Sequence, residues 1–102
     1  MKAIKMLSER IEEEIDDARW YAKNALKYKA EHRAMADVLY TISTEEMKHM
    51  QMLHGAVTEL IDQYRREQGE PPSDMMAIYN YLHERHIEKA AEVSALQALY
   101  RE

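Results

Sequence analysis

A glutamate and a histidine stand where the apolar pattern of the second helical segment calls for buried side chains. Apolar residues recur every three or four positions on both sides of them, at Met35, Leu39, Ile42, Leu53, Ala56 and Leu60. The positions that continue this spacing across the gap hold Glu46 and His49. Such a stripe is the buried face of a helix, and an unpaired charge there costs several kcal/mol. We therefore expect a compensating partner, and a bound metal ion is the strongest candidate.

The first helical segment, from about residue 3 to 29, contains one matching irregularity. Its apolar seam consists of Ile4, Leu7, Ile11, Ala18, Tyr21, Ala25 and Tyr28, and the position missing from this spacing holds Glu14. The register of Glu14 distinguishes it from the neighbouring acids, which we interpret as a solvated acidic face: Glu9, Glu12, Glu13, Asp16 and Asp17. A second core-position carboxylate is therefore predicted.

The two carboxylates are predicted to face each other across a helical hairpin. Residues 30–32 interrupt the pattern, and a tight connection there makes an antiparallel pair. The midpoint of 14 and 46 is 30, so Glu14 and Glu46 would lie at the same height. Two like charges repel unless one is protonated or a cation bridges them. A Glu-x-x-His pair also points both side chains to one face, so His49 would complete a set that suits Fe(II), Mn(II) or Zn(II).

A competing interpretation explains Glu46 without a metal. Residues 43–46, Ser-Thr-Glu-Glu, match a capping box in which Ser43 caps a new helix and Glu46 reaches back. The stripe from Met35 to Leu60 has no phase shift, which favours one continuous helix instead. Capping also leaves Glu14 and His49 unexplained.

The whole chain, residues 1–102, is predicted to be one all-α domain with helices at about 3–29, 33–68 and 74–100. The second helix would be roughly 54 Å long, so either it breaks or another subunit packs on the excess. Gly69, Pro71 and Pro72 mark the one clear linker, and Ser73 is expected to cap the third helix.

Composition narrows the function classes. The chain has 19 acids against 14 bases and no cysteine, which excludes thiolate and disulfide sites and argues against nucleic-acid binding. No apolar run is long enough to span a membrane, and no secretory signal is visible. We expect a cytoplasmic protein.

The helical motifs resemble those of the ferritin-like di-iron carboxylate proteins, in which two helices each supply a Glu and two others each supply a Glu-x-x-His pair. The likeness covers roughly residues 4–66. Residues 45–50, Glu-Glu-Met-Lys-His-Met, are similar to the Glu-Glu-x-x-His-Ala/Met string of bacterioferritins and rubrerythrins. The resemblance implies that Glu14 and Glu46 are carboxylate ligands, that His49 is a nitrogen ligand and that Tyr21 lies just outside them.

The chain carries only one of the two halves of that family's usual bundle. A two-fold homodimer, or a higher oligomer, would supply the full ligand set and complete a four-helix bundle, as the resemblance to encapsulated ferritins implies. Small phage-encoded ferritin-like proteins are similar in length and in residues 84–93. This likeness implies a di-iron centre between subunits, with Mn or Zn as alternatives, and ferroxidase-type oxidation of Fe(II) by oxygen or peroxide.

Two alternatives remain open at the level of sequence. One is a structural or adaptor protein, phage-associated, whose metal site is vestigial or purely stabilising. The other is a zinc-holding dimer without redox chemistry.

Several further residues could be ligands, but each has a simpler interpretation. His86 is expected to be a satisfied or partly exposed histidine, and the His83–His86 pair is a weak surface metal motif. Glu88 and Glu92 could match the family's third-helix glutamate. The remaining residues are expected to be surface groups (Asp17, His32, His54), packing or interface groups (Trp20, Tyr40) and core filler (Met47, Met50, Met52, Met75, Met76).

Overall fold

The computed structural model describes residues 2–102, and all regular structure in that range is helical. Helix α1 spans Lys2–Tyr28, α2 spans Arg33–Gln68 and α3 spans Ser73–Arg101. The predicted all-α class is confirmed. None of these three helices is long and apolar enough to cross a lipid bilayer.

The helices run up, down and up. Helix α2 is antiparallel to α1, since Ala18 contacts Ser43 and Glu14 contacts His49, and antiparallel to α3, since Ser43 contacts Gln97 and His54 contacts His83. The contacts Glu12–His86 and Arg19–Glu92 show that α1 and α3 are parallel. The resulting rod measures 56 × 19 × 18 Å. Its long axis is about the length expected for the unbroken α2.

The helix ends follow the local sequence. At Gly69 the chain adopts φ 84°, which glycine reaches without strain, and its N–H donates to the carbonyl of Arg65 at 3.1 Å. Pro72 precedes the first residue of α3, and no side chain caps that helix. The predicted cap at Ser73 is therefore wrong: Ser73 already lies inside the helix.

The buried face of α2 lies one residue beyond the predicted stripe. Its buried members are Ala36, Ser43, Val57 and Ile61, and each of them directly follows a position of the predicted stripe. The shift corresponds to a rotation of roughly 100°. Because α2 packs against α3 as well as α1, the face between both neighbours is the one buried, and the predicted stripe lies on its open flank.

Helix α1 supplies most of the core. Its buried apolar residues recur with heptad spacing and are, in order, Ile4, Ile11, Ile15, Ala18, Ala22 and Ala25. At one end of the rod they pack with Val57, Ile61 and Val93. At the other end Ala25 packs with Ala36 and Tyr100. Small residues at the second end allow the helices to approach closely.

Candidate metal centre

Glu14 from α1 and Glu46 and His49 from α2 converge on one point of the hairpin. One ligand-capable atom of each lies within 4.8 Å of the others. Nδ1 of His49 is 3.6 Å from Oε2 of Glu14 and 3.9 Å from Oε2 of Glu46. The matched height predicted from the turn therefore brings these three side chains together.

Glu14 is the buried member of the cluster. Only 7% of its surface is exposed, and Oε2 is buried without any hydrogen-bond partner. Its other oxygen, Oε1, lies 3.4 Å from a guanidinium nitrogen of Arg10. A buried carboxylate oxygen without a donor is costly, and here that oxygen points toward His49.

The other two side chains of the cluster are more accessible than predicted. The Glu46 side chain is 20% exposed and that of His49 is 54% exposed, so the expectation that all three occupy core slots is wrong for His49. The cause is the rotation of α2, which turns positions 46 and 49 to the edge of the α1–α2 seam. His49 is therefore accessible to water in the single chain, although the apolar residues Ile11, Leu39, Ile42 and Leu53 belong to the same two predicted stripes.

A hydrogen bond missed by the sequence analysis fixes the register of this hairpin. The buried hydroxyl of Ser43 donates to the carbonyl of Ala18 at 2.7 Å, and the side-chain amide of Gln97 donates to the same hydroxyl at 2.9 Å. Ala18 lies one turn from Glu14, and Ser43 lies one turn from Glu46. The continuous helix through Ser43 also shows that the capping-box interpretation is wrong.

A second polar cluster joins α1 to α3 on the opposite flank of α1. The carboxylate of Glu12 lies 2.9 Å from Nε2 of buried His86 and accepts a 2.7 Å hydrogen bond from Lys89, which also donates to Asp16 at 3.0 Å. The Lys89 hydrogen bond is the main cause that lowers the pKa of Glu12, and the same bond raises the pKa of Lys89. The expectation that Glu12 is merely solvated is wrong, and His86 is satisfied, as predicted.

The remaining candidate ligands lie away from the three-residue cluster. Glu88 is exposed and Glu92 pairs with Arg19 at 3.1 Å. His54 is half-buried and stacks on His83 with ring centroids 4.7 Å apart, so its assignment to the surface is wrong. Burial and the nearby His83 lower the pKa of His54.

The structure also places the residues that were predicted to be surface, packing or core groups. Asp17 and His32 are exposed. Tyr21 packs edge-on against Trp20, seven residues and about 10 Å along the helix from Glu14. Tyr40 stacks on Tyr100. Four of the methionines are half-buried filler (Met47, Met50, Met75, Met76), but Met52 is 74% exposed, so its assignment to the core is wrong.

The flank of α2 around His49 exposes apolar side chains. Val38 and Met35 are exposed on one side of the cluster and Met52 on the other. Trp20 of α1 adds to the surface and lines a groove of about 500 Å³ together with Met35. Exposed apolar residues that cluster in this way are typical of association surfaces.

No family model, curated protein or solved structure matches this chain.

Proposed function

We propose that the chain binds a divalent transition-metal ion through Glu14, Glu46 and His49. The observation that carries this proposal is the buried Oε2 of Glu14, which has no hydrogen-bond partner and lies close to a second carboxylate and an imidazole. Ligand atoms bound about 2.1 Å from a tetrahedral ion lie roughly 3.4 Å apart. The separations of 3.6 and 3.9 Å from His49 therefore need only small side-chain movements.

Iron is the proposed ion, with manganese and zinc as alternatives. Two carboxylates balance the charge of one divalent cation, and the imidazole adds a borderline nitrogen ligand. With no cysteine in the sequence, soft thiolate coordination is not an option for this chain. The ferritin-like resemblance of the Glu-x-x-His string supports iron over the other ions.

The proposal further includes a two-fold homodimer, or a higher oligomer, in which two such clusters lie together and a four-helix bundle is completed. The exposed apolar flank of α2 supports a dimer. It forms a stripe that runs from Met35 to Ala56, and the centre of this stripe falls between positions 45 and 46. An antiparallel α2–α2 pairing about that centre places position 49 of one chain opposite position 42 of the other. The accessible His49 would then be covered by apolar surface.

In that dimer the paired clusters supply four carboxylates and two histidines, the set of a di-iron centre. The proposed chemistry is ferroxidase-type: two Fe(II) ions lose one electron each, and with two protons the electrons reduce dioxygen to hydrogen peroxide. Glu14 and Glu46 balance the ionic charge, and His49 fixes the orientation of the ion. The expected cytoplasmic location, where Fe(II) is available, belongs to the same proposal.

A second candidate is a structural or adaptor protein, phage-associated by resemblance, in which the site is vestigial or only stabilising. The ion pair between Arg10 and Glu14 favours it, because it compensates part of the buried charge without a metal. A zinc-holding dimer without redox chemistry is the third possibility, and oxygen consumption distinguishes it from the first.

The test compares the wild-type chain with Glu46→Ala and with the matched control Glu45→Ala, an exposed neighbour. Metal content, oligomer mass and oxygen uptake are measured after anaerobic loading with Fe(II). We expect one ion per chain and oxygen uptake for the wild type and the control, and the loss of both for Glu46→Ala. Equal iron binding and assembly by Glu46→Ala would refute the metal site; binding without oxygen uptake would refute only the redox chemistry.

A further inference from the structure

The two oxygens of Glu14 have different surroundings. Oε1 lies 3.4 Å from a guanidinium nitrogen of Arg10, and Oε2 faces His49 with no hydrogen-bond donor. The carboxylate is therefore shared between a permanent cation on one side and the candidate metal position on the other.

Arg10 reaches this carboxylate from the solvent. Its side chain is more than half exposed, it lies one turn before Glu14 on α1, and it also pairs with Glu13. An arginine remains charged at every physiological pH. The other ion-pair partner of Glu14 among residues 2–102 is His49, which is charged only when protonated. Arg10 is thus the counter-ion of the buried carboxylate whose charge does not change with pH in the neutral range.

We propose that Arg10 is the counter-ion of the metal-free state and that it lowers the affinity of the site for its cation. This inference rests on the proposed metal site. Arg10 stabilises the ionised, buried Glu14 when no metal is bound, because an uncompensated carboxylate in that position is costly. When a divalent cation occupies the cluster, the same guanidinium is a nearby like charge and opposes binding. Arg10 therefore sets the affinity of the site and makes loading reversible.

The test is the replacement Arg10→Gln, which keeps hydrogen-bonding capacity and removes the charge. Binding of Zn(II) alone is measured by calorimetry at pH 7.5, together with thermal unfolding with and without Zn(II). Because the Arg10 side chain is more than half exposed, its repulsion of a divalent ion several ångströms away is screened nearly as in water, and we expect about tenfold tighter Zn(II) binding. We also expect a lower melting temperature for the metal-free variant and a larger rise on adding Zn(II).

Two further variants make the result specific. Arg10→Lys keeps the charge and should bind Zn(II) as the wild type does. Arg66→Gln removes an exposed arginine that pairs with Glu59, and so reproduces the change in net charge about 25 Å along α2 from His49; its affinity should equal that of the wild type.

The possible failures are distinguishable. If the wild type does not bind Zn(II), the proposed metal site itself is refuted. If the wild type binds Zn(II) and Arg10→Gln binds equally or more weakly, the role of Arg10 alone is refuted. An Arg10→Gln chain that folds only when Zn(II) is present would support the role, because the metal then replaces the missing counter-ion.

Discussion

Ser43 and Ala18 hold α1 and α2 in register: the hydroxyl of one donates to the backbone carbonyl of the other at 2.7 Å, across the helix interface. Helix carbonyls normally accept only from their own helix, so this additional bond ties a particular residue of α2 to a particular turn of α1. A hydroxyl at position 43 therefore determines which residues of the hairpin meet one turn further along, at Glu14 and Glu46.

Replacing Ser43 with alanine should loosen this register. The change removes the bond to Ala18 and leaves the buried amide of Gln97 without its acceptor, at a cost of about 1–3 kcal/mol. Urea denaturation of the metal-free chain measures this loss. Ser94→Ala, at an exposed position of α3, is the matched control and should change stability by less than about 0.5 kcal/mol. Equal stability of both variants would show that the cross-helix bond is unimportant.

The Glu12 cluster predicts a loss of stability in acid. The pKa of the Glu12 carboxylate is lowered in the folded chain, chiefly by the hydrogen bond from Lys89. The corresponding stabilisation is therefore present above the unfolded pKa, about 4.3, and is lost as the pH falls through the lower folded value. Glu12→Gln should reduce stability at pH 7 by about 1 kcal/mol and weaken the acid dependence.

Denaturation midpoints between pH 3 and 7 provide the measurement for Glu12. Glu13→Gln is the control, because Glu13 is well exposed and its ion-pair partner is the exposed Arg10. A steep acid dependence that survives unchanged in Glu12→Gln would contradict the assignment.

His54 predicts a second pH effect, at milder acidity. Burial and His83 lower its folded pKa, so the unfolded chain takes up a proton first. Stability should therefore fall as the pH drops below about 6.5, the ordinary histidine value. His54→Gln should flatten this part of the profile, whereas His32→Gln, at an exposed position, should leave it unchanged. Thermal unfolding from pH 5 to 8 checks both; identical profiles for His54→Gln and the wild type would overturn this role.

A substitution on the exposed flank of α2 should affect association of the chains without affecting their folding. Val38 is 58% exposed, so Val38→Glu should leave the helicity and melting of the isolated chain almost unchanged. A buried charge in the proposed interface should nevertheless prevent dimer formation. Light scattering after size-exclusion chromatography measures the mass. Ile87→Glu on α3 is the control, at 55% exposure, and should remain dimeric; a wild-type monomer, or a dimeric Val38→Glu, would refute this interface.

Sequence periodicity was sufficient to predict the helices and to place Glu14 and Glu46 at the same level of the hairpin, because α1 and α2 are long and their turn is short. It misplaced the buried face of α2 by one residue, since a stripe analysis of one helix does not include the third helix that packs beside it. The buried residues at 36, 43 and 57 lie at multiples of seven residues, with 61 four residues further on, and the small side chains of Ala36 and Ser43 concealed this spacing. A serine is also a common helix cap, so its type alone does not indicate the buried position that Ser43 occupies.

The sequence predicted that Glu14, Glu46 and His49 converge, but it did not predict how exposed each side chain is. Glu14 is buried, whereas His49 lies at the edge of the seam, because the rotation of α2 moves position 49 toward solvent. The cluster of Glu12 with Lys89 was missed, since it depends on the pairing of α1 with α3, and no turn of known length sets that register.

The most direct measurement is the anomalous difference density of a crystal grown in the absence of metal and soaked in Mn(II) or Fe(II). The predicted result is a peak within ligand distance of Glu14, Glu46 and His49. A soaked crystal that shows no peak at these three side chains, or a peak only elsewhere on the chain, would contradict the proposed metal site.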